Sequence, residues 1–558
     1  MSPDSKTAIV SSSLWAAYGD ALGFISELAD SRTLAFRIKT KTVNKTVRWR
    51  RRIGGRFGVV LELPSGCYSD DTQLRLATSR AIRADGHFDV EAFAKVELPV
   101  WLCYSLGGGL STKAAASSLI RENVNWFSNF FSDRSSSYFD AGGNGASMRI
   151  QPHVWAASDL TEPSSYMKDV IRNSVCTHGH PNALAGAFFH ASCLASTLVT
   201  RELPGPKQWR ETISRLHEIL SIIRADDELS TFWLPVWRQR TKGDMENSLQ
   251  RVQQESLKDI LDIERYFGHD ESVVYPRIVE AIGGLEPATR GSGIKTAILA
   301  AALSWLFKGK STSDALVEAA NVLGSDTDSI ATMAGAVLGA VSKSKPEEDL
   351  ADREYIETEA VRLYDVGRSA AKDSFRYPDL MSWKAPKNLS SAVDFSAGQT
   401  RVAGLGPAQA IGESWPDRKD ESVAWQWLKL SFGQTILAKQ RKRLGNLSDE
   451  EQSSHNTARR ETSPKRNADM SPQGDMFNAP HGNQNGPKKE GVMSAVSLDE
   501  LTNTAINSGF DQELIGKHLI QLAETSNGVE LAVAYAAIIV KAKRARLRLQ
   551  AKKDRETT

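Results

Sequence analysis

Two short stretches of this 558-residue chain concentrate hard oxygen donors. Ser69-Asp70-Asp71-Thr72 and Asp326-Thr327-Asp328-Ser329 each set two carboxylates and neighbouring hydroxyls just ahead of an apolar-periodic run. One acid in such a place is an ordinary helix cap, accepting from free N–H groups and offsetting the positive end of the helix dipole. Capping explains neither the second acid nor the repetition. Carboxylates and hydroxyls together suit Mg²⁺ or Mn²⁺ rather than zinc. Two such ions side by side would let four acids share a site that mutual repulsion otherwise forbids.

The elements that must position these residues are helical. After Asp71, Leu74, Ala77, Ala81 and Ile82 fall on one helical face; after Asp328, Ile330, Met333, Ala334, Val337 and Leu338 do the same. Gly335 and Gly339 stand one turn apart and should admit a closely packed neighbour. Further helices are expected over Pro181–Leu198 and Lys295–Leu306. From Thr7 to Val366 small residues and this period point to a compact all-α core. One segment breaks the pattern. Between Arg32 and Leu63 the chain is rich in Thr, Val, Arg and aromatics, with Gly54-Gly55 as a turn signal, and reads as an irregular or β-hairpin excursion. It is basic throughout (Arg37, Lys39, Lys41, Lys45, Arg48, Arg50, Arg51, Arg52, Arg56) and has no acid before Glu62.

We expect a catalytic region over 1–372, then a small appendage at 373–446 that the sequence does not classify. A disordered linker is expected at 447–494, polar and dotted with Pro, Asn and Gly. A C-terminal helical region follows at 495–558, opened by the Ser497/Glu500 capping box and ending in a basic stretch from Lys541 to Lys553.

At this point the chain resembles the ADP-ribosylglycohydrolase family, dinitrogenase-reductase activating glycohydrolase and its relatives. Five segments carry the likeness in the family's order. Gly19-Asp20-Ala21-Leu22-Gly23 with Glu27 resembles the opening GDALG…E, and Ser69-Asp70-Asp71-Thr72 the TDDT metal motif. Gly143-Asn144-Gly145-Ala146-Ser147-Met148-Arg149 resembles the GNGxxMR loop, Thr177-His178 with Pro181 the TH segment, and Gly324 to Ser329 the GGDTDT motif. Ser stands for the usual Thr at 69 and 329, keeping a hydroxyl, and Ser325 replaces a Gly. The resemblance implies an orthogonal all-α bundle holding two Mg²⁺ (or Mn²⁺) ions on Ser69, Asp70, Asp71, Asp326, Asp328 and Ser329. It implies that Asp140, Gly142, Gly143, Asn144 and His178 border bound ADP-ribose, the loop glycines bringing main-chain N–H groups to the diphosphate. Glu27 matches the acid that approaches the ribose.

The implied reaction is hydrolysis of the glycosidic bond joining ADP-ribose to a modified acceptor, through an oxocarbenium-like transition state. Glu27, Asp71 and Asp326 are the candidate catalytic carboxylates, and the residues do not choose the general base among them. Two other classes share these features: a non-enzymatic ADP-ribose-binding or immunity-type blocking module, and a two-metal phosphohydrolase releasing phosphate. The acceptor is left open, whether a macromolecule or a small molecule.

The remaining signals are weaker. Gly291-Ser292-Gly293-Ile294-Lys295-Thr296 lacks the spacing of a phosphate loop and reads as a helix start. His178 and His180 find no further His or Cys to complete a zinc set. Trp233 and Trp237, flanking Pro235, read as core. The basic run from Arg32 to Arg56 is either a solvated hairpin or a grip beside the site mouth, since it falls between Glu27 and Asp70, for an anionic macromolecule, nucleic acid or an acidic modified protein; the basic C-terminus is a second candidate contact. Lys+Arg of 69 against Asp+Glu of 67 names no partner by itself. Four scattered cysteines (Cys67, Cys103, Cys176, Cys193) fit a reducing compartment. No secretory leader and no run approaching the ~18 apolar residues of a membrane span is read in the sequence. A cytoplasmic protein with no membrane partner is therefore expected.

Overall fold

The computed structural model describes residues 3–442 and 497–556, apart from 56, 57, 134, 135, 269, 270, 397, 419, 526 and 527. The expected linker at 447–494 and Arg56 thus lie outside the described residues. The chain divides into two compact units, Met1–Ser453 and Ser454–Thr558.

The first unit is built on a helical body. Helix α1 (Pro3–Ser26) runs through its interior, and the helix Thr327–Gly339 packs along it. Their backbones touch. A Cβ on Gly23 would stand 2.4 Å from the Thr327 carbonyl oxygen, and one on Gly335 would stand 2.3 Å from that of Trp15. The neighbour that Gly335 admits is therefore α1. Ser12 Oγ donates to the Ala336 carbonyl (2.6 Å), and Thr327 Oγ1 to that of Gly23 (2.7 Å), which fixes the register of the pair. Helix α3 (Asp70–Ala81) and the helices Pro181–Thr200 and Gly293–Leu306 complete the surroundings of the site.

α1 and Pro181–Thr200 correct one expectation. Both are long and apolar enough, by length and composition, to pass for membrane spans. Ala supplies much of their hydropathy, and Gly and Ser break up the large side chains, which is why the sequence did not show it. Their faces are spent largely on neighbouring helices: α1 is buried from Ala8 to Ser26.

The excursion at Arg32–Leu63 is two elements. Helix α2 (Ser31–Ile38) is capped by Asp30, whose Oδ1 accepts from the Thr33 N–H (2.7 Å), and it stops at Lys39 in the left-handed region. An antiparallel hairpin follows: β1 (Trp49–Ile53) pairs with β2 (Val59–Leu63), and Gly54 and Gly55, both at positive φ, make the turn. Trp49 and Ile53 are buried, Arg51 half-buried, and Arg50 and Arg52 point outward.

Residues 393–441 form a five-stranded antiparallel meander: β3 (Val393–Ser396), β4 (Gln399–Val402), β5 (Gly406–Pro416), β6 (Val423–Leu430) and β7 (Thr435–Arg441). The sheet belongs to the same compact unit as the helical body. Two buried ionic centres tie it there. Arg80 of α3 meets Glu97 through two 2.8 Å contacts and also donates to Gln434 Oε1 (2.7 Å), while Tyr377 donates to Glu97 (2.7 Å). Asp352 accepts from Lys429 Nζ (2.8 Å), from the N–H (2.6 Å) and Oγ1 (2.7 Å) of Thr435, and from the Tyr68 hydroxyl (2.8 Å).

The second unit contains the helices Leu498–Asn507, Gln512–Ala523 and Gly528–Glu556. They close on a core that includes Leu498, Leu522 and Tyr535. Ser497 caps the first helix through the Glu500 N–H (3.3 Å). In the basic stretch, Lys543 and Arg546 lie over the Phe510 ring, each 5.0 Å from its centroid, so part of that charge packs on this unit's own surface.

Candidate active site

Ser69 is the N-cap of α3. Its Oγ accepts from the Asp71 N–H and donates to Asp71 Oδ2, both at 3.2 Å. Asp20, from α1, supplies the rest of the cap: its two carboxylate oxygens accept from the N–H groups of Ser69 (2.9 Å) and Thr72 (2.8 Å). With the helix end served by Ser69 and Asp20, Asp70 and Asp71 are free to face inward. The second cluster lies opposite. Asp326 makes no side-chain cap bond to its own helix, and Asp328 Oδ1 accepts from the Ser329 N–H (2.9 Å).

The carboxylates converge. One oxygen each from Asp20, Asp71 and Asp328 lies within 4.8 Å of the others, and all three residues are buried. Burial raises the pKa of Asp70 to about 8, with Glu27 adding to the shift. Burial first, then the neighbouring acids, pushes Asp71 and Asp328 well above the usual carboxylate range, and Asp326 upward too. Arg75 is the buried counter-charge on the far side, held by the hydroxyls of Thr332 and Thr72 (2.7 Å each). One buried atom, Asp71 Oδ1, has no hydrogen-bond partner. An unpartnered carboxylate oxygen among raised carboxyls is costly unless a cation meets it. The donor set is all oxygen, so the residues fit a hard divalent cation.

All of these acids except Asp20 line a cleft of about 530 Å³. Of the residues singled out in the sequence, Glu27, Asp70, Asp71, Gly143, Asn144, His178, Asp326, Asp328 and Ser329 line it. Ser69 lies behind Asp71. Asp140 is exposed on a short 3₁₀ turn, and neither it nor Gly142 is on the cleft wall.

The Asn144 loop is braced from both sides. Arg149 donates to the Gly145 carbonyl (2.7 Å) and to Thr177 Oγ1 (2.7 Å), joining the loop to the His178 segment. Asn144 Nδ2 donates to Asp326 Oδ2 (2.8 Å) and to Thr296 Oγ1 (3.2 Å). Its own N–H goes to the Gly291 carbonyl (2.9 Å), and the Gly142 N–H goes to that of Asp140 (2.8 Å). Those two N–H groups are therefore spent inside the protein, which narrows the diphosphate cradle expected of this loop. The cation on that wall is half-buried Arg290. Burial lowers the pKa of His178 to about 3, so its ring is neutral; Nδ1 is engaged with Thr177 Oγ1 (2.7 Å).

Glu27 sits at the rim, where Arg51 of β1 holds its Oε2 at 2.7 Å. The Arg51 guanidinium stacks over Phe24, 4.1 Å from the ring centroid. The basic hairpin thus reaches the site through one inward side chain.

Sequence reasoning passed over Asp20, Arg290, Gly291 and Thr296 as site residues. Asp20 was visible inside the GDALG segment. Gly291 and Thr296 belong to the stretch set aside as a simple helix start, which Arg290 immediately precedes, and nothing local marks it as the brace of a loop far away in sequence. His180 caps Pro181–Thr200 by accepting from the Asn182 N–H (3.1 Å). Trp233 donates to the Tyr138 hydroxyl and Trp237 to the Gly179 carbonyl, both at 2.7 Å, and both rings are buried.

A helical body with an acidic, oxygen-lined cleft at paired helix starts defines a hydrolase-type centre of the ADP-ribosylglycohydrolase class. Comparison with known families agrees: the ADP-ribosylglycohydrolase model matches residues 1–372, and the chain belongs to that family. Among solved structures, the chain is similar to one described as an ADP-ribosylglycohydrolase-related protein complex, at 20% identity and a TM-score of 0.41, covering 65% of this chain and 99% of that one. No curated protein matches the chain.

Proposed function

We propose that this protein hydrolyses the glycosidic bond between ADP-ribose and a modified acceptor, with Mg²⁺ or Mn²⁺ held by Asp20, Asp70, Asp71, Asp326, Asp328 and the hydroxyls of Ser69 and Ser329. The observation that carries the reading is the buried, unpartnered Asp71 Oδ1 among converging carboxylates, on the wall that also presents Asn144 and His178. Bound divalent ions would orient ribose hydroxyls and make a water more acidic. The chain's own residues do the rest. Asn144 fixes Asp326 through Oδ2. His178, neutral, offers a hydrogen bond without a charge beside the sugar. Arg290 supplies positive charge for a diphosphate. Glu27, half-buried and held by Arg51, is the carboxylate free to take a proton from the attacking water at the cleft mouth.

The test is release of free ADP-ribose from a panel of ADP-ribosylated acceptors, with and without Mg²⁺ or Mn²⁺. Hydrolysis is expected with the metal, and is expected to be lost after chelation and in folded Asp71→Ala and Asp326→Ala. Metal-independent release, or phosphate as the product, would refute the reading. Binding of ADP-ribose without turnover of any acceptor would leave a non-catalytic module.

A further inference from the structure

A second cavity, of about 720 Å³, is lined by Lys113, the residue that follows the 108–112 wall of the catalytic cleft. Its walls are the hairpin tip (Gly54, Gly55), Leu102, Lys113, Lys387 and Trp425 of β6, among others. Lys113 links the two electrostatically. It lines the second cavity, and its charge acts on Asp70 in the first. Along the sheet the cavity continues into a further hollow of about 450 Å³ through the shared Asn388, Leu389 and Lys439. Trp425, 93% buried, lines the cavity with part of its ring, and Lys439 Nζ stands 5.8 Å from the ring centroid. Lys439 is neutralised by Asp417 (3.1 Å), whereas Lys387 is exposed.

The hairpin above this cavity carries the chain's strongest run of positive charge, with no acid from residue 31 to 61. Arg37 and Arg51 are turned inward, onto the Ile25 and Glu27 carbonyls and the Glu27 carboxylate. Arg50 and Arg52 are exposed on the outer side of β1, with Glu62 across from Arg50 and Arg52 donating to the Gly58 carbonyl (3.4 Å), and exposed Arg48 stands just before the strand. Alternate residues on a strand stand about 7 Å apart, a spacing suited to successive phosphates of an extended strand. A pocket whose largely apolar walls include the Trp425 ring, beside exposed arginines, combines the two devices that hold unpaired nucleotides.

We infer that the acceptor is a single-stranded nucleic acid, its phosphates on Arg48, Arg50 and Arg52 and a neighbouring base in the Trp425 cavity, so that an ADP-ribosylated nucleotide enters the cleft past Lys113. This rests on the hydrolase reading above. The experiment uses the full chain and a fluorescein-labelled oligothymidine of about 20 nucleotides, followed by anisotropy over a salt series. Wild type should bind with a clear salt slope. Arg48→Glu/Arg50→Glu/Arg52→Glu should bind at least about tenfold more weakly with a shallower slope, each lost contact removing about 0.7 from it, and the triple lysine variant should retain binding. Lys387→Glu, at the cavity wall, should weaken binding as well. Absent or salt-insensitive binding, an unchanged charge-reversed variant, or equal affinity for polyglutamate would overturn the inference. If wild type releases ADP-ribose from other acceptors but binds no oligonucleotide, the inference fails and the hydrolase reading stands. If it binds through the arginine row yet frees ADP-ribose from nothing, the hydrolase reading fails, and with it nucleic acid as substrate.

Discussion

Asn144→Ala isolates one bond in the proposed metal centre. Asn144 Nδ2 meets Asp326 Oδ2 at 2.8 Å, a hydrogen bond to a charged acceptor. Such bonds contribute about 1.5–3 kcal/mol. At about 1.4 kcal/mol per tenfold, the loss corresponds to a drop in metal affinity of about 10- to 100-fold. That is also the usual effect of removing the partner behind a metal ligand. The substitution leaves the rest of the loop in place. The residue-144 N–H keeps the Gly291 carbonyl, and Thr296 Oγ1 keeps its bond to the Ser292 carbonyl (2.8 Å). A folded protein with a weakened site is therefore expected. Asn144→Asp keeps the shape and replaces the donor with a second carboxylate against Asp326. It should weaken metal-free stability more than alanine does and make stability depend more steeply on added metal. Calorimetric titration of Mn²⁺ into the full chain measures the affinity, and thermal unfolding with and without Mn²⁺ measures the linkage. Asn144→Ala binding Mn²⁺ within about threefold of wild type would refute the role given to Asn144.

Three further outcomes follow from the packing and titration. Gly23→Ala would force its methyl to 2.4 Å from the Thr327 carbonyl oxygen and 2.6 Å from Asp328 Cα. It should cost at least about 1–3 kcal/mol in urea unfolding and weaken Mn²⁺ binding together, because the helix that must move carries Asp328. Glu97→Gln strands the charge of buried Arg80 and should cost about 3–5 kcal/mol in the same assay; a loss below ~1 kcal/mol would contradict the pair's structural role. His190, buried beside Gln151 Nε2 (3.0 Å), has its pKa lowered by burial to about 3. As pH falls from the unfolded value of ~6.5 toward 3, the unfolded chain takes up this proton first, so stability is lost by up to about 1.4 kcal/mol per pH unit. His190→Gln should remove that slope relative to wild type when unfolding is measured at pH 5 and 7, and parallel pH profiles would show that the imidazole is not held neutral.

The helical body was legible because its signal is local. Small residues at helical spacing, a hydroxyl and two acids at two helix starts, and a glycine-rich Asn loop each occupy a few consecutive positions. What joins them is not local. The Asp20 carboxylate caps α3 from 49 positions away in sequence, and no window shows that its acid is used on someone else's helix. Thr296 and Gly291 brace Asn144 in the same long-range manner. Helix α2 was missed because its Asp30 cap lies just before the basic run, whose β-prone residues dominate any average over it. The meander was not read because β5 and β6 do not alternate cleanly: β5 is largely exposed and bulged between Ile411 and Ser414, while β6 is buried along most of its length. Sheet strands with such faces look like neither pattern.

Two elements lie beside the metal motifs rather than within them, and each grips one. Arg51 of the hairpin holds Glu27, and Asp352, tied to Lys429 and Thr435 of the sheet, holds the Tyr68 hydroxyl one residue before Ser69. A partner that displaced Arg51 would free Glu27, and strain on the sheet would reach the α3 cap through Tyr68. The same hairpin that secures Glu27 from inside presents Arg48, Arg50 and Arg52 outside, because β-strand alternation divides consecutive arginines between the two faces. If substrate binds on the outer row and Glu27 takes the proton, as proposed, the two events would be coupled through one short strand. A substrate that shifts that strand should change kcat through Glu27 as well as KM, whereas removal of the outer arginines should act on KM alone.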